Sequence, residues 1–180
     1  MSTFNKYRLK GAYHYDWYET EDWYKYLVDR CVEFCSRERG DVLDVGCGDG
    51  LLLQKLKDKG ISSFGIDPDP NAIKLCTEKD IEAYQDILDS DYVKGSKDRD
   101  YLTCLNVVEH MDNPDSLRQI IRKKITKGAI ITTIDYQGGT LGEDHRFEWT
   151  YDEMMEFFKE FNPKGFRYKD TEWIGVEITK

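Results

Sequence analysis

The chain has 180 residues, enough for one domain whose core needs no disulfide or metal to hold it. It carries 26 Lys and Arg against 35 Asp and Glu, and the net charge of −9 argues against nucleic acid or an anionic membrane as an electrostatically driven partner. A 13% aromatic content excludes a disordered chain, and no apolar run approaches the roughly 18 residues of a membrane span. The first residues lead into no apolar leader, so a cytoplasmic globular domain is expected. The five cysteines, Cys31, Cys35, Cys47, Cys76 and Cys104, are odd in number and form no CxxC pair. That disfavours a zinc knuckle or a thioredoxin-type site and points to buried free thiols in a reducing compartment.

Residues 1–19 are polar and aromatic without clear period. Trp23, Leu27, Cys31, Phe34 and Cys35 recur at spacings of three and four and predict a helix over 21–37. Residues 41–45 read as the first strand, 50–59 as a helix closed by Gly60, 63–66 as the second strand and 70–79 as the second crossover helix. Short strands follow at 81–84 and 101–105, separated by a polar stretch. Residues 116–124 form a helix bearing Leu117, Ile120 and Ile121, and the β-branched run 129–134 is a central strand. A helix over 151–161, with Met154, Phe157, Phe158 and Phe161 on one face, precedes a hairpin of 166–169 and 174–179. Strands alternating with helices predict an α/β fold: a single doubly wound sheet of about seven strands, mostly parallel, helices on both faces, reversed at the edge by the antiparallel C-terminal hairpin. Residues 1–40 stand apart as an N-terminal aromatic segment and helix, and 41–180 form the core.

The first strand runs into Asp44-Val45-Gly46-Cys47-Gly48-Asp49-Gly50. Glycines there let a ligand approach the backbone at a helix N-terminus. A dinucleotide loop carries a third glycine where this chain has Leu51. The second strand ends Gly65-Ile66-Asp67, and a carboxylate at that point offers two acceptor oxygens to the hydroxyls of a ribose. A plain tight turn is the alternative for the loop, a helix cap for Asp67 and a turn residue for Asp86.

In these motifs the chain resembles the class I S-adenosylmethionine-dependent methyltransferases, of the type 11/12 group, over roughly residues 20–180. Val42-Leu43-Asp44-Val45-Gly46-Cys47-Gly48-Asp49-Gly50 is similar to the first motif of that family, Gly65-Ile66-Asp67-Pro68 to its ribose motif, Gln85-Asp86-Ile87 to its adenine position, and Leu105-Asn106-Val107-Val108-Glu109-His110 to the segment beneath methionine and substrate. The resemblance implies a Rossmann-like core over 41–180 that binds S-adenosyl-L-methionine. Asp44, Gly46 and Gly48 would lie against the methionine end and Asp67 would hold the ribose. Pro68 would rest on the adenine face, with Asp86 and the Ile87 N–H at its edge, and the Leu105 carbonyl would accept from the methionine ammonium.

Ligands of open α/β sheets sit outside the carboxyl ends of the strands. Three segments compete to line the acceptor pocket there: 106–113, 135–149 and the N-terminal stretch. All three histidines, His14, His110 and His145, fall in them. A histidine near neutral pKa suits proton removal from an acceptor, with His145 the first candidate and His110 the second. A loop histidine that merely caps the following helix is the alternative for His145. Tyr13, His14, Tyr15, Trp17, Tyr18, Trp23, Tyr24 and Tyr26 read either as a lid over cofactor and acceptor or as a packing strap across the sheet.

Asp144-His145-Arg146-Phe147-Glu148-Trp149-Thr150 is also similar to the small-RNA 3′-terminal 2′-O-methyltransferases, which hold a metal with two glutamates and two histidines. Glu109, His110 and His145 match three of the four, but Asn106 stands at the fourth position, which weakens hard-metal binding. No Asn/Asp-Pro-Pro-Tyr run follows the fourth strand, which argues against the amino-methylating DNA and protein-glutamine enzymes. No Pro-Cys pair supports a cysteine adduct either.

The expectation is therefore methyl transfer to an oxygen or nitrogen of a small-molecule acceptor by in-line displacement, with no metal. The alternatives are a metal-assisted RNA 2′-O-methyltransferase and a non-catalytic, cofactor-binding partner subunit. The net charge is a global average, and a basic strip of Arg118, Arg122, Lys123 and Lys124 could overturn it locally in favour of nucleic acid.

Overall fold

In the computed structural model, which describes residues 6–138 and 145–180, three helices precede the first strand: α1 (Lys6–Lys10), α2 (Tyr13–Thr20) and α3 (Asp22–Cys35). Then come β1 (Val42–Val45), α4 (Leu51–Asp58), β2 (Ser63–Asp67), α5 (Pro70–Glu78), β3 (Ala83–Gln85), α6 (Ser90–Gly95) and β4 (Arg99–Leu105). The chain ends with α7 (Asp115–Lys124), β5 (Ile125–Ile134), α8 (Tyr151–Phe157), β6 (Lys164–Arg167) and β7 (Trp173–Thr179).

The strands form one sheet in the order β3-β2-β1-β4-β5-β7-β6. β1 pairs with β2 and β4 in parallel, as β2 does with β3 and β4 with β5. β7 runs antiparallel to both β5 and β6. The reversed strand is thus the second from the edge, and the edge strand β6 points the same way as β5. The hairpin turns its later strand inward because Ile174, Val176 and Ile178 are buried, whereas β6 buries only Phe166.

Alternation along the strands feeds two cores. Val42, Tyr101 and Ile130 face α3 and α4, with Leu27, Cys31, Phe34 and Leu52. Leu43, Leu102 and Ile131 face the other way, onto Leu117, Ile121, Met154 and Phe158 of the later helices. Buried Glu177 on β7 pairs with Arg30 and Arg37 at 2.7 and 2.8 Å, which ties the end of α3 across the sheet.

The structure adds to the sequence reading in three places. Residues 1–19, which show no period, carry α1 and α2. The polar stretch before β4 holds α6, capped by Asp89. β5 begins at Ile125, directly after α7. The helix expected to reach residue 161 ends at Phe157 and continues as a 3₁₀ turn, Lys159–Phe161. All five cysteines are free and buried. Among the described residues no helix is long and apolar enough to cross a membrane.

Candidate functional site

The sheet order reverses between β1 and β4, and the loops after these two strands meet there. Gly46 and Gly48 have φ of +73° and +55°. A Cβ on Gly46 would overlap the Val107 side chain, and one on Gly48 would overlap the Tyr7 hydroxyl. Both positions require glycine for conformation and for space.

Two buried carboxylates lie beneath and beside the loop. Asp44 accepts a 2.7 Å hydrogen bond from the Thr103 hydroxyl. Asp67, at the end of β2, accepts from the Gly48 N–H at 3.0 Å and the Asp69 N–H at 2.8 Å. Burial pushes Asp44 up to about 7, against the pull of Thr103 and with a further push from Asp67. Burial likewise raises Asp67 to about 6, against its two backbone donors. Carboxyls held this high gain most from a cation, which favours their charged forms. The helix-cap role that stood as the alternative for Asp67 belongs to Asp69, which accepts from the Asn71 N–H at 2.8 Å with Pro70 in the first turn of α5.

Pro68 is exposed beside Asp67, and its carbonyl accepts from the Gln85 side chain. Asp86 and Ile87 are exposed after β3, and the Ile87 N–H donates to Asp86 Oδ1 at 2.8 Å. The two groups expected at an adenine edge thus meet each other. Leu105 ends β4 opposite Thr132. Asn106, at φ +54°, follows it and is held by Thr132, whose hydroxyl donates to Asn106 Oδ1 at 2.9 Å.

Across the switch point stands a second cluster. Glu109 and His110 lie in the 3₁₀ turn Val108–His110, and the Glu109 carbonyl accepts from the N–H groups of Arg146 and Phe147. That pins the segment carrying His145 to the β4 loop. The rings of His110 and His145 stand edge to face, 4.9 Å apart. His145 Nδ1 lies 3.4 Å from Glu148 Oε1. Burial pushes the Glu109 carboxyl up to about 7, with Thr133 and Lys6 pulling it down and Glu148 adding to the rise. Its Oε2 is buried without a hydrogen-bond partner among the described residues. Glu109, His110 and His145 each offer one ligand atom within 4.8 Å of the others, a donor set that could take a cation. Asn106 does not complete it, since its side chain is engaged by Thr132. Gly142, Glu143 and Asp144, quoted with His145 in the sequence, lie outside the described residues.

His14, the third candidate, stands at the glycine loop instead. Its backbone N–H donates to Asp49 Oδ2 at 2.9 Å, and its ring Nδ1 approaches Asp49 Oδ1 to 3.2 Å without bonding it, with Asp49 fully buried. The sequence reading missed Thr103, Asp49 and Tyr7. Asp49 had a signal, an acid between two glycines; a threonine in an apolar strand and a tyrosine in an aperiodic segment had none. The basic strip on α7 is largely neutralised. Arg118 and Arg122 both bond Glu160, at 2.9 and 2.7 Å, and Lys124 lies 3.9 Å from Asp98.

Comparison with known proteins bears on the fold and the family. A ubiquinone biosynthesis O-methyltransferase of Rickettsia bellii is 28% identical over 149 residues, covering 77% of this chain and 62% of that protein. The chain thus spans about three fifths of that relative's length. The magnesium protoporphyrin IX methyltransferase ChlM of Synechocystis, solved with bound SAM, superposes with a TM-score of 0.68 at 13% identity, over 98% of this chain and 94% of that one. The methyltransferase domain of bacterial CtHen1-C gives a TM-score of 0.65 at 20% identity, over 84% of this chain and 95% of that one. Residues 17–168 match the methyltransferase domain family, and the chain belongs to that family.

Proposed function

We propose that the chain is an S-adenosyl-L-methionine-dependent methyltransferase that methylates an oxygen or nitrogen of a small molecule, in the reducing environment of the cytoplasm. The observation that carries this reading is the pair of burial-raised carboxyls, Asp44 and Asp67, around a loop that only glycine can form. That pocket suits a ligand carrying a sulfonium and an ammonium beside a ribose. The ChlM structure with bound SAM and the ubiquinone-pathway O-methyltransferase support the donor and a small acceptor by analogy.

When bound, S-adenosylmethionine supplies an electrophilic methyl that an acceptor takes by in-line displacement. Asp67 would hold the ribose hydroxyls while the Gly48 and Asp69 N–H groups that donate to it keep it fixed. Asp44 and the Leu105 carbonyl face the methionine end, and Gly46 and Gly48 give it room. Pro68, Asp86 and Ile87 would frame the adenine; Asp86 Oδ1 accepts from the Ile87 N–H in this structure. Across the cleft His145, with Nδ1 3.4 Å from Glu148 Oε1, would take the acceptor's proton, and His110 packs beside it. Alignment and exclusion of water supply most of the acceleration. Residues 41–180 act as the core and 1–40 as its covering segment.

Mass spectrometry of a metabolite extract incubated with the protein and methyl-labelled S-adenosylmethionine tests this. A labelled small product supports it, and absence of cofactor binding refutes it. The Glu109–His110–His145 donor set favours a second reading, metal-assisted 2′-O-methylation of RNA. Divalent-metal-dependent labelling of short RNA 3′ ends would establish that one instead. The net charge of −9 and the neutralised α7 strip weigh against it.

A further inference from the structure

A groove of about 540 Å³ runs between the segment that follows His145 and α8. Phe147, Trp149 and Phe157 line it, with ring centroids 6.1 Å apart from Phe147 to Trp149 and 5.1 Å from Trp149 to Phe157. Trp149 is buried and forms the deepest part, whereas Phe147 is 40% exposed. The rest of the lining is acidic. It comprises Glu148, Asp152, Glu153 and Glu156, and no lysine or arginine among the described residues. Asp152 and Glu156 lie one turn apart on α8, so both carboxylates stand on one side of that helix.

We propose that this groove seats an ammonium group of the methyl acceptor, so that the substrate is a small organic cation whose reacting oxygen or nitrogen lies at His145. This rests on the reading that His145 faces the acceptor.

Charge and shape carry the argument. Aromatic faces attract a cation through their quadrupole, and carboxylates around them add to the field. The cations nearby are engaged elsewhere or lie at the rim. Arg118 stands 5.1 Å from the Phe157 ring but is bonded to Glu160, Arg146 pairs with Asp112, and Lys159 pairs with Glu156. Glu148 joins the groove to the histidines, because it lines the groove and its Oε1 lies 3.4 Å from His145 Nδ1. The indole N–H of Trp149 is buried with no acceptor among the described residues, so the wall also holds an unused donor. An acceptor bearing a carboxylate would meet four like charges, and a neutral one would gain the ring contact alone.

The test uses three phenols of matched length: tyramine with an ammonium, phloretate with a carboxylate and neutral para-propylphenol. Each is titrated into the protein saturated with S-adenosylhomocysteine. The Trp149 indole N–H resonance, assigned through Trp149→Phe, reports the groove. Tyramine is expected to shift it and to bind about tenfold more tightly than para-propylphenol, with phloretate weaker still. The double variant Asp152→Asn, Glu156→Gln is expected to erase that preference while S-adenosylhomocysteine binds as in the wild type. Equal binding of the three, no shift at all, or a preference that survives the double variant overturns the proposal. A dimer in sedimentation velocity that Phe147→Ser splits overturns it too, because a second copy then fills the groove. A protein that does not bind S-adenosylhomocysteine overturns the functional reading, a result read separately from the Trp149 signal.

Discussion

The two sides of the switch point are built differently. On the β1–β2 side, Asp44 and Asp67 are buried but engaged by Thr103, Gly48 and Asp69, and the loop between them is fixed by backbone geometry. On the β4–β5 side, Glu109 Oε2 and His145 Nδ1 are buried without hydrogen-bond partners among the described residues, and the cluster is assembled from side chains on two loops. His145 Nδ1 has only its looser 3.4 Å approach to Glu148. The first side is held by its backbone, with only Asp49 Oδ1 and Asp69 Oδ2 buried without a hydrogen-bond partner among the described residues. The second is made of side chains alone, and there a carboxylate and an imidazole nitrogen are left unsatisfied together, which suits the acceptor end proposed above.

The strongest way to break this contrast is Gly48→Val. A β-branched residue at φ +55° that collides with Tyr7 is expected to abolish S-adenosylmethionine binding while the two cores, which it does not enter, keep the fold. A folded variant of wild-type affinity would show that the loop does not touch the ligand. Asp67→Ala removes the ribose acceptor and orphans the Gly48 and Asp69 N–H groups, and is expected to weaken binding by about 1–3 kcal/mol in calorimetry. His145→Gln sharpens the other side. It should leave cofactor affinity unchanged and lower kcat by about 10²-fold, the low end for a general base; an unchanged kcat removes His145 from the chemistry. The smallest effect belongs to Glu160→Ala. It costs at most about 1 kcal/mol in thermal unfolding, since its ion pairs with Arg118 and Arg122 are solvent-facing.

The same contrast governs what the sequence revealed. Glycines at positive φ, an acid at a strand end and alternating apolar strands are local signals, so the loop, Asp67 and the order of strands could be read in advance. The inward turn of β7 could not, because it depends on comparing the apolar content of two short strands across a hairpin. Nor could the meeting of Glu109 with His145, which is made by Glu109's carbonyl bonding to Arg146 and Phe147 far along the chain. The N-terminal helices escaped because α1 and α2 bury isolated rings, Tyr7 and Tyr13, rather than a periodic stripe.

Proton linkage tests the socket most directly. Asp44 and Asp67 keep their protons to about pH 7 and about pH 6 in the folded chain, above the ordinary aspartate value near ~4. Between those limits the folded chain binds more protons than the unfolded one, so both carboxyls make stability fall as pH rises through that window. A cationic ligand does the opposite: it favours the ionised carboxylates and releases their protons. Calorimetric titration of S-adenosylmethionine from pH 5 to pH 8 (~5 to ~8), in buffers of different ionisation heat, measures both effects. The account predicts affinity that climbs through about pH 6–7 with net proton release below it. Binding that is flat with pH and releases no proton would contradict it.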